Sequence, residues 1–412
     1  MKKVFIGLLD IASQISDWNK GFKELGYETF TAALYRMHIA QRMEVDVDIS
    51  TMFKLSYRGI RPRKLQTYLQ DRWNFSKNKV FNKALEECDI FIFIGSSFYN
   101  DYSDLKKIKD RGKKLVFIFT GEDCRWYFSM KQEFEMFGLE PIVYPPTHIF
   151  SAENLAKQIS YLRNAEKYAD VIMSLPNQAQ LALRPYERFI CALDLEKFSF
   201  SGEQRVVPRI VHAPTGHHFK GTKHFLNAIE RLRQDGVKFE FELIEDVSNQ
   251  IALEKYTNAD IILGQVYCPC GGKLAHEGMA LGKVVLTRMG FDKGYDEKTP
   301  EGCSLVDIGP DNIYEKLKEL ISNASKRREL SVRGRAYVEK NNDCTLAAKR
   351  IIELLSTKED IEPEFIPNFF RNHFVPESNE AAIVYNKWNA YLSDCHWYSK
   401  YVGTFDRNGL KF

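Results

Sequence analysis

The chain has 412 residues, too many for one ordinary core, and its 44% hydrophobic content is enough to fill two. Charged residues make up 27% and the net charge is +3, which excludes a whole-chain electrostatic case for nucleic acid or an anionic membrane and leaves only local patches open. Of the 8 cysteines only Cys268 and Cys270 lie close together, and no second pair completes a zinc site, so they read as small thiols in a reducing compartment.

Met1-Lys2-Lys3 leads into Val4–Leu9, an apolar run ending at Asp10 that reads as a buried parallel strand. It is too short to span a membrane and lacks a small-residue cleavage site, which places the chain in the cytoplasm. Ile11 to Leu25 has helical spacing with Gly26 as its stop, and Tyr27 to Leu34 alternates as a second strand. The stretch 38–57 is irregular. A basic, aromatic helix runs from about Pro62 to Glu87, and with its approach it holds Arg61, Arg63, Lys64, Arg72, Lys77, Lys79 and Lys83. It reads either as a solvated face or as a surface for an anionic acceptor or for lipid headgroups, which would put the protein at the periphery of the inner membrane.

Asp89–Gly95 and Lys114–Phe119 are continuous apolar runs, the mark of strands covered on both faces; the second is followed by Thr120-Gly121-Glu122-Asp123-Cys124-Arg125. Helix and strand then alternate through Ala152–Tyr168, Val171–Leu175 and Phe189–Leu193, giving a doubly wound α/β domain. Asp194 to Val207 reads as a linker. The rhythm then repeats: a strand from Arg209, a helix Thr222–Gln234, a strand Phe239–Glu245, a helix capped by Ser248, a strand Ala259–Gln265, a helix carrying Glu277, and a strand from Lys283. Helices follow near Asp311–Ile321, Lys326–Lys340 and Leu346–Leu355. The segment 361–412 is dense in aromatics and is expected to pack, with Asn379–Ser393 helical. The expected division is 1–200, 201–360 and 361–412, the last returning to the first domain.

Open α/β sheets bind ligands beyond the carboxyl ends of their strands. In the first domain those ends present Leu9-Asp10, Gly95-Ser96-Ser97, Thr120–Arg125 and Pro176-Asn177; in the second, Thr215–Lys220, Glu245-Asp246, Gln265–Gly272 and Thr287-Arg288. Two such domains face to face would place the ligand in the cleft between them. Lys220 is the best cation for a phosphate, because it stands beside Gly221 where a helix begins. Glu277, a few residues beyond Gly271-Gly272, suits two hydroxyl hydrogen bonds of a ribose. The ligand-facing candidates of the second domain are Thr215, Gly216, His217, His218, Lys220, Glu245, Gln265, Gly271, Gly272, Lys273 and Glu277; those of the first include Asp10 and Ser96. Asp123 and Arg125 form either a turn with an internal ion pair or a reactive pair facing the cleft. His212, His217, His218, His224 and His276 fit no metal spacing, so no metal is expected and a loop histidine reads as a phosphate donor. There is no Ser-His-Asp arrangement, no Gly-Lys-Ser/Thr phosphate loop and no Asp-x-Asp signature.

His212-Ala213-Pro214-Thr215 through Phe219-Lys220-Gly221-Thr222 resembles the donor-phosphate loop of bacterial family 4 glycosyltransferases. Tyr256–Gln265, Glu277–Val285 and the run Arg327-Arg328-Glu329-Leu330 to Gly334–Val338 resemble the same family, which the chain matches over roughly 209–355 and more weakly at Gly121–Arg125 and Ala169-Asp170-Val171. The resemblance implies the GT-B fold: two Rossmann-like doubly wound α/β domains, with a C-terminal helix crossing back to the first. It implies a nucleotide-diphosphate sugar as donor substrate, no separate cofactor, and metal-independent sugar transfer with retention of configuration. Lys220 then matches the diphosphate lysine, acting in catalysis with Asp123 and Arg125, and Glu277 matches the ribose-holding second glutamate of a pair. The first glutamate falls at Pro269, the arginine before the lysine at Thr215, and the first-domain histidine at Thr120, so three family positions differ. The acceptor stays open among glycan, lipid-linked sugar, protein and modified nucleic acid. The alternative function is a catalytically silent subunit that recruits a partner.

Overall fold

The computed structural model describes residues 2–356 apart from 37–43, 51–62, 122, 126–151, 176, 177, 180, 183, 185, 215, 246, 248, 268–270 and 290–299. The aromatic segment 361–412, Thr215, Pro269, the Cys268/Cys270 pair and the approach to the basic helix therefore lie outside the described residues. The chain divides into two compact units; among the described residues the first runs to Ile190 and resumes at Ala347, and the second is Cys191–Leu346.

The first unit is a parallel seven-stranded sheet. Its strands are β1 (Lys3–Asp10), β2 (Glu28–Arg36), β3 (Val47–Asp48), β4 (Ile90–Ile94), β5 (Lys114–Ile118), β6 (Val171–Ser174) and β7 (Glu187–Arg188), in spatial order β3-β2-β1-β4-β5-β6-β7. This is the Rossmann order, with its reversal between β1 and β4. Ile90-Phe91-Ile92-Phe93-Ile94 is buried at every position because helices cover both faces. Phe5, Phe93, Phe98 and Phe117 interlock there, with Phe5–Phe98 and Phe93–Phe117 centroids 5.4 and 5.5 Å apart. Helix α1 (Gln14–Glu24) buries Ile15, Trp18 and Phe22 at helical spacing and stops at Gly26, whose φ of 81° continues no right-handed helix. Helix α2 (Arg63–Glu87) packs Trp73, Val80, Phe81 and Ala84 inward. Helices α3 (Ser103–Asp110) and α4 (Ala152–Tyr168) complete the unit. A buried Arg163–Glu166 pair at 2.7 Å, with Tyr186 donating to Glu166 at 3.0 Å, ties α4 to the chain before β7. The strand expected at Phe189–Leu193 forms instead as the two-residue β7; Leu193 makes only an isolated bridge to Asp343.

The second unit is a parallel five-stranded sheet of β8 (Arg209–His212), β9 (Glu240–Leu243), β10 (Ile261–Leu263), β11 (Val284–Thr287) and β12 (Val306–Asp307), in order β12-β11-β10-β8-β9. Its order reverses between β8 and β10, as in the flavodoxin-like form of the doubly wound sheet. The helices are α5 (His217–Lys220), α6 (Thr222–Gln234), α7 (Asn249–Thr257), α8 (Gly272–Ala280), α9 (Ile313–Ser322), α10 (Ala324–Asn341) and α11 (Cys344–Ser356). Helix α6 buries Phe225, Ala228, Ile229 and Leu232, one face of a 3.6-residue repeat. The expected linker is stapled to this unit. The fully buried Arg327 of α10 donates to the Leu320 and Ile321 carbonyls and to Arg205 and Gln204, and Arg335 donates to the Phe198 carbonyl at 2.8 Å. Helix α11 begins in the second unit and from Ala347 onward belongs to the first.

Candidate functional site

The strand order of the second unit reverses between β8 and β10, and it is beyond the carboxyl ends of strands at such a reversal that open α/β sheets take their ligands. Both loops there are the ones singled out by sequence. The first is not simply a loop: His217–Lys220 makes one helical turn, ended by Gly221 at φ +68°. Only glycine fits, for a Cβ at 221 would lie 2.7 Å from the Val266 Cβ. The chain passes from Gly221 straight into α6.

Lys220 is fixed twice to the second loop. Its Nζ donates to the buried Gln265 Oε1 at 2.9 Å, and its carbonyl accepts from Val266 N at 3.1 Å. Gln265 is in turn held by the residue that follows β11, since Arg288 N donates to its carbonyl at 2.8 Å. An ammonium can only donate, so the amide oxygen faces Lys220 and the amide N–H groups point elsewhere. His224 Nε2 and Tyr267 OH lie 2.8 Å apart and close the same two loops further along.

The histidines have separate partners. His212 is fully buried, with Nδ1 2.9 Å from the Leu263 carbonyl and Nε2 2.9 Å from Thr222 Oγ1. A carbonyl only accepts, so Nδ1 carries the hydrogen and Nε2 accepts from the hydroxyl. Burial pushes this imidazole down to about 4; the Leu263 hydrogen bond opposes that, and the nearby Lys220 charge adds to it. His217 Nε2 stands 2.7 Å from Glu245 Oε1, His218 is exposed, and His276 Nδ1 donates back to the Gly272 carbonyl at 2.8 Å. Among the described residues no three His, Cys, Asp or Glu side chains converge as metal ligands.

Gly271 and Gly272 open α8, the latter at φ +63° with open space where a Cβ would go. Their backbone N–H groups stand at a helix start with no side-chain cap. Lys273 follows, half-buried, and Glu277 lies buried one turn on. Burial, and then the Glu277 carboxylate, raise the Tyr256 phenol of α7 above its ordinary range.

In the first unit the structure brings Asp10, Gly95-Ser96 and Asp123 to the carboxyl ends of β1, β4 and the strand beside it. Asp10 Oδ1 accepts from Ile15 N at 3.1 Å, after a turn in which Ala12 and Ser13 both take left-handed backbone conformations. The Asp123 carboxylate accepts from Thr120 N and, at 2.7 Å, from Gly121 N, and burial raises it against those bonds and the Arg125 charge. It is the acceptor that shapes the Thr120–Arg125 turn. The Arg125 guanidinium lies over Gly121, 3.5 Å from where a Cβ would stand. A Cβ on Gly95 would lie 3.6 Å from Asp123 Oδ2, so these loops are neighbours.

Sequence reasoning did not foresee the hydrogen bonds that His212, Thr222 and Tyr267 make. The available signal was a polar residue closing an apolar strand, His212 after Ile210-Val211, ten residues before a threonine at a helix start.

No protein-family model matches the chain, and no curated protein matches it in sequence. Its structure is similar to solved ones at 86% coverage of this chain. An α-glucosyltransferase in complex with UDP-glucose and DNA containing an abasic site aligns with a TM-score of 0.53 at 12% identity, over 99% of its own chain. Sucrose-phosphate synthase from Thermosynechococcus elongatus aligns with a TM-score of 0.53 at 11% identity over 98% of its chain. Anabaena HepE in complex with UDP and glucose aligns at 0.50 and 13% identity over 100% of its chain. The two parallel sheets and these likenesses define the class: a two-domain, Rossmann-like GT-B fold.

Proposed function

We propose that the protein is a retaining, metal-independent glycosyltransferase, moving a sugar from a nucleoside-diphosphate sugar to an acceptor, with the likeness to family 4 enzymes carried by the loops of the second unit. The observation that carries this reading is Lys220, a cation pinned by Gln265 at the switch point of the second sheet and set at the entrance to α6. The donor diphosphate binds against Lys220 and the uncapped N–H groups at Gly271-Gly272. As the bond from the sugar to the diphosphate breaks, its electron pair goes to the leaving phosphate oxygen, where the lysine charge and the helix start stabilise it without a bound metal. Glu277 receives the ribose hydroxyls; Gly216, His217, His218, Glu245 and Lys273 line the donor loops, and Thr215 is assigned to the donor side from its place in the sequence. The similar α-glucosyltransferase and HepE structures hold UDP-glucose or UDP with glucose, which supports a UDP-sugar donor. Asp10, Ser96, Asp123 and Arg125 of the first unit form the acceptor side.

The same reading extends to α2. Leu65, Tyr68 and Phe75 are 43%, 53% and 71% exposed on a helix that also carries Arg63, Lys64, Arg72 and Lys79. Exposed aromatics among basic residues suit the headgroup layer of an anionic membrane, and we assign α2 that peripheral contact. Among the described residues no helix is long and apolar enough to cross a membrane.

The test is a panel of nucleotide sugars scored for turnover, donor hydrolysis and protection against melting. Binding without any transfer or hydrolysis would favour the silent recruiting subunit; no binding at all would overturn the reading.

A further inference from the structure

The His212 ring occupies the point where β8 and β10 part. The register of these strands ends at His212 opposite Leu263, and the Leu263 carbonyl takes the ring N–H. From the other ring nitrogen the bond runs to Thr222 Oγ1, on a threonine 2% exposed at the first position of α6. Gly221 joins Thr222 to Lys220, and Lys220 returns to Gln265, two residues beyond Leu263. The bonds therefore close a circuit: Leu263 to His212, to Thr222, through Gly221 to Lys220, to Gln265, and along the backbone to Leu263. Phe225, one turn into α6, covers the ring with centroids 4.7 Å apart, so the imidazole has one seat.

We propose that His212 is a positioning residue for Lys220: it wedges the switch point open and, through Thr222, holds the Gly221 turn so that the ammonium faces the donor diphosphate. The proposal rests on Lys220 being the diphosphate anchor. It gives a task to a buried polar side chain that a β-branched aliphatic would otherwise fill, since an uncompensated imidazole in a core costs stability and this one is compensated at both nitrogens. The circuit is polar throughout, so removing one member leaves the partners of its neighbours unsatisfied.

The experiment is a double-mutant cycle in ligand affinity. UDP binding is titrated to millimolar concentration by ligand-detected NMR on the full chain, with thermal melting recorded beside it. His212→Phe keeps a ring but loses both hydrogen bonds. With Lys220 present it should weaken UDP binding about tenfold, and in a Lys220→Met background by less than about twofold, because the lost interaction acts through the lysine. Thr222→Val should match His212→Phe, and Thr222→Ser should restore the affinity. A purely structural histidine would lower the melting temperature equally in both backgrounds and weaken UDP by the same factor in each; that result overturns the proposal, as does wild-type affinity in His212→Phe. If His212→Phe does not fold, the Thr222→Val and Thr222→Ser pair decides: equal affinities overturn the proposal. If the wild-type chain binds neither UDP nor GDP nor ADP, the assignment of Lys220 fails and this inference falls with it; binding by wild type with no change in the variants sinks the inference alone.

Discussion

Lys220 Nζ donates to Gln265 Oε1 across 2.9 Å, joining the loops that leave the two strands on either side of the second sheet's switch point. The neutral amide oxygen orients the cation and brings no opposing charge of its own. Lys220→Met should therefore lower kcat/KM for the donor by about 10²-fold or more while shifting the melting temperature little, because what is lost is charge aimed at the leaving diphosphate. Steady-state kinetics on the donor found in the panel, with circular dichroism as the folding control, checks this.

Gln265→Glu puts a full negative charge where the amide oxygen lies. The lysine would then be held by an internal ion pair in a poorly solvated place, and the diphosphate would have to displace it. Affinity for UDP should fall about tenfold, and calorimetry reads it directly. Undiminished affinity would mean that Lys220 does not meet the ligand from this position.

Gly221 and Gly236 separate conformation from crowding. Both have positive φ, +68° and +73°, but a Cβ on Gly236 meets nothing within 4 Å, whereas one on Gly221 meets Val266 at 2.7 Å. Gly236→Ala should cost about 1 kcal/mol and Gly221→Ala about 3 kcal/mol. Urea midpoints of the two variants measure the difference, and equal midpoints would remove the argument that the two donor loops are locked in contact.

Two buried groups tie stability to pH with opposite signs. The folded-state pKa of His212 is pushed down to about 4, so the unfolded chain takes up a proton first as pH falls below about 6.5; stability present above that pH is lost toward pH 4, by up to about 3 kcal/mol. Asp104, fully buried at the start of α3 and accepting from Phe98 N at 2.7 Å, is pushed up to about 7 by burial. Its contribution is present at low pH and is lost as pH rises through 7. Melting curves from pH 4 to 8 should show His212→Phe with a flatter acid limb than wild type, and Asp104→Asn with a flatter alkaline limb.

The α2 surface predicts co-sedimentation with vesicles rich in phosphatidylglycerol and none with phosphatidylcholine alone. Phe75→Asp, at a position 71% exposed, should abolish the binding without changing the melting temperature. Wild-type co-sedimentation by this variant, or none by the wild type, would remove the membrane assignment.

How much was legible beforehand differs between the two sheets. Ile90–Ile94 and Ile261–Leu263 announced themselves as apolar runs, and the helices 152–168 and 222–234 formed with the boundaries expected, because burial on both sides of a sheet or along one helical face writes a period into the sequence. The strands β3, β7 and β12 did not, since two residues carry no period. The linker's partner was hidden as well: the bonds from Arg327 to Gln204 and Arg205 join residues more than 120 apart in the chain.

By itself the sequence determined the α/β alternation and the two glycine-bearing loops, and it singled out Lys220 and Glu277 as candidate anchors, because each depends on residues close in the chain. Only the tertiary structure decided that Lys220 is held by Gln265, that His212 bridges Leu263 to Thr222, and that Asp123 spends its carboxylate on the Thr120 and Gly121 amides. The physical reason for the first two is sheet order. The two site loops leave strands that are not consecutive in sequence but are neighbours in the sheet, and their contacts span 45 and 51 residues. The Asp123 bonds are instead local, spanning two and three residues.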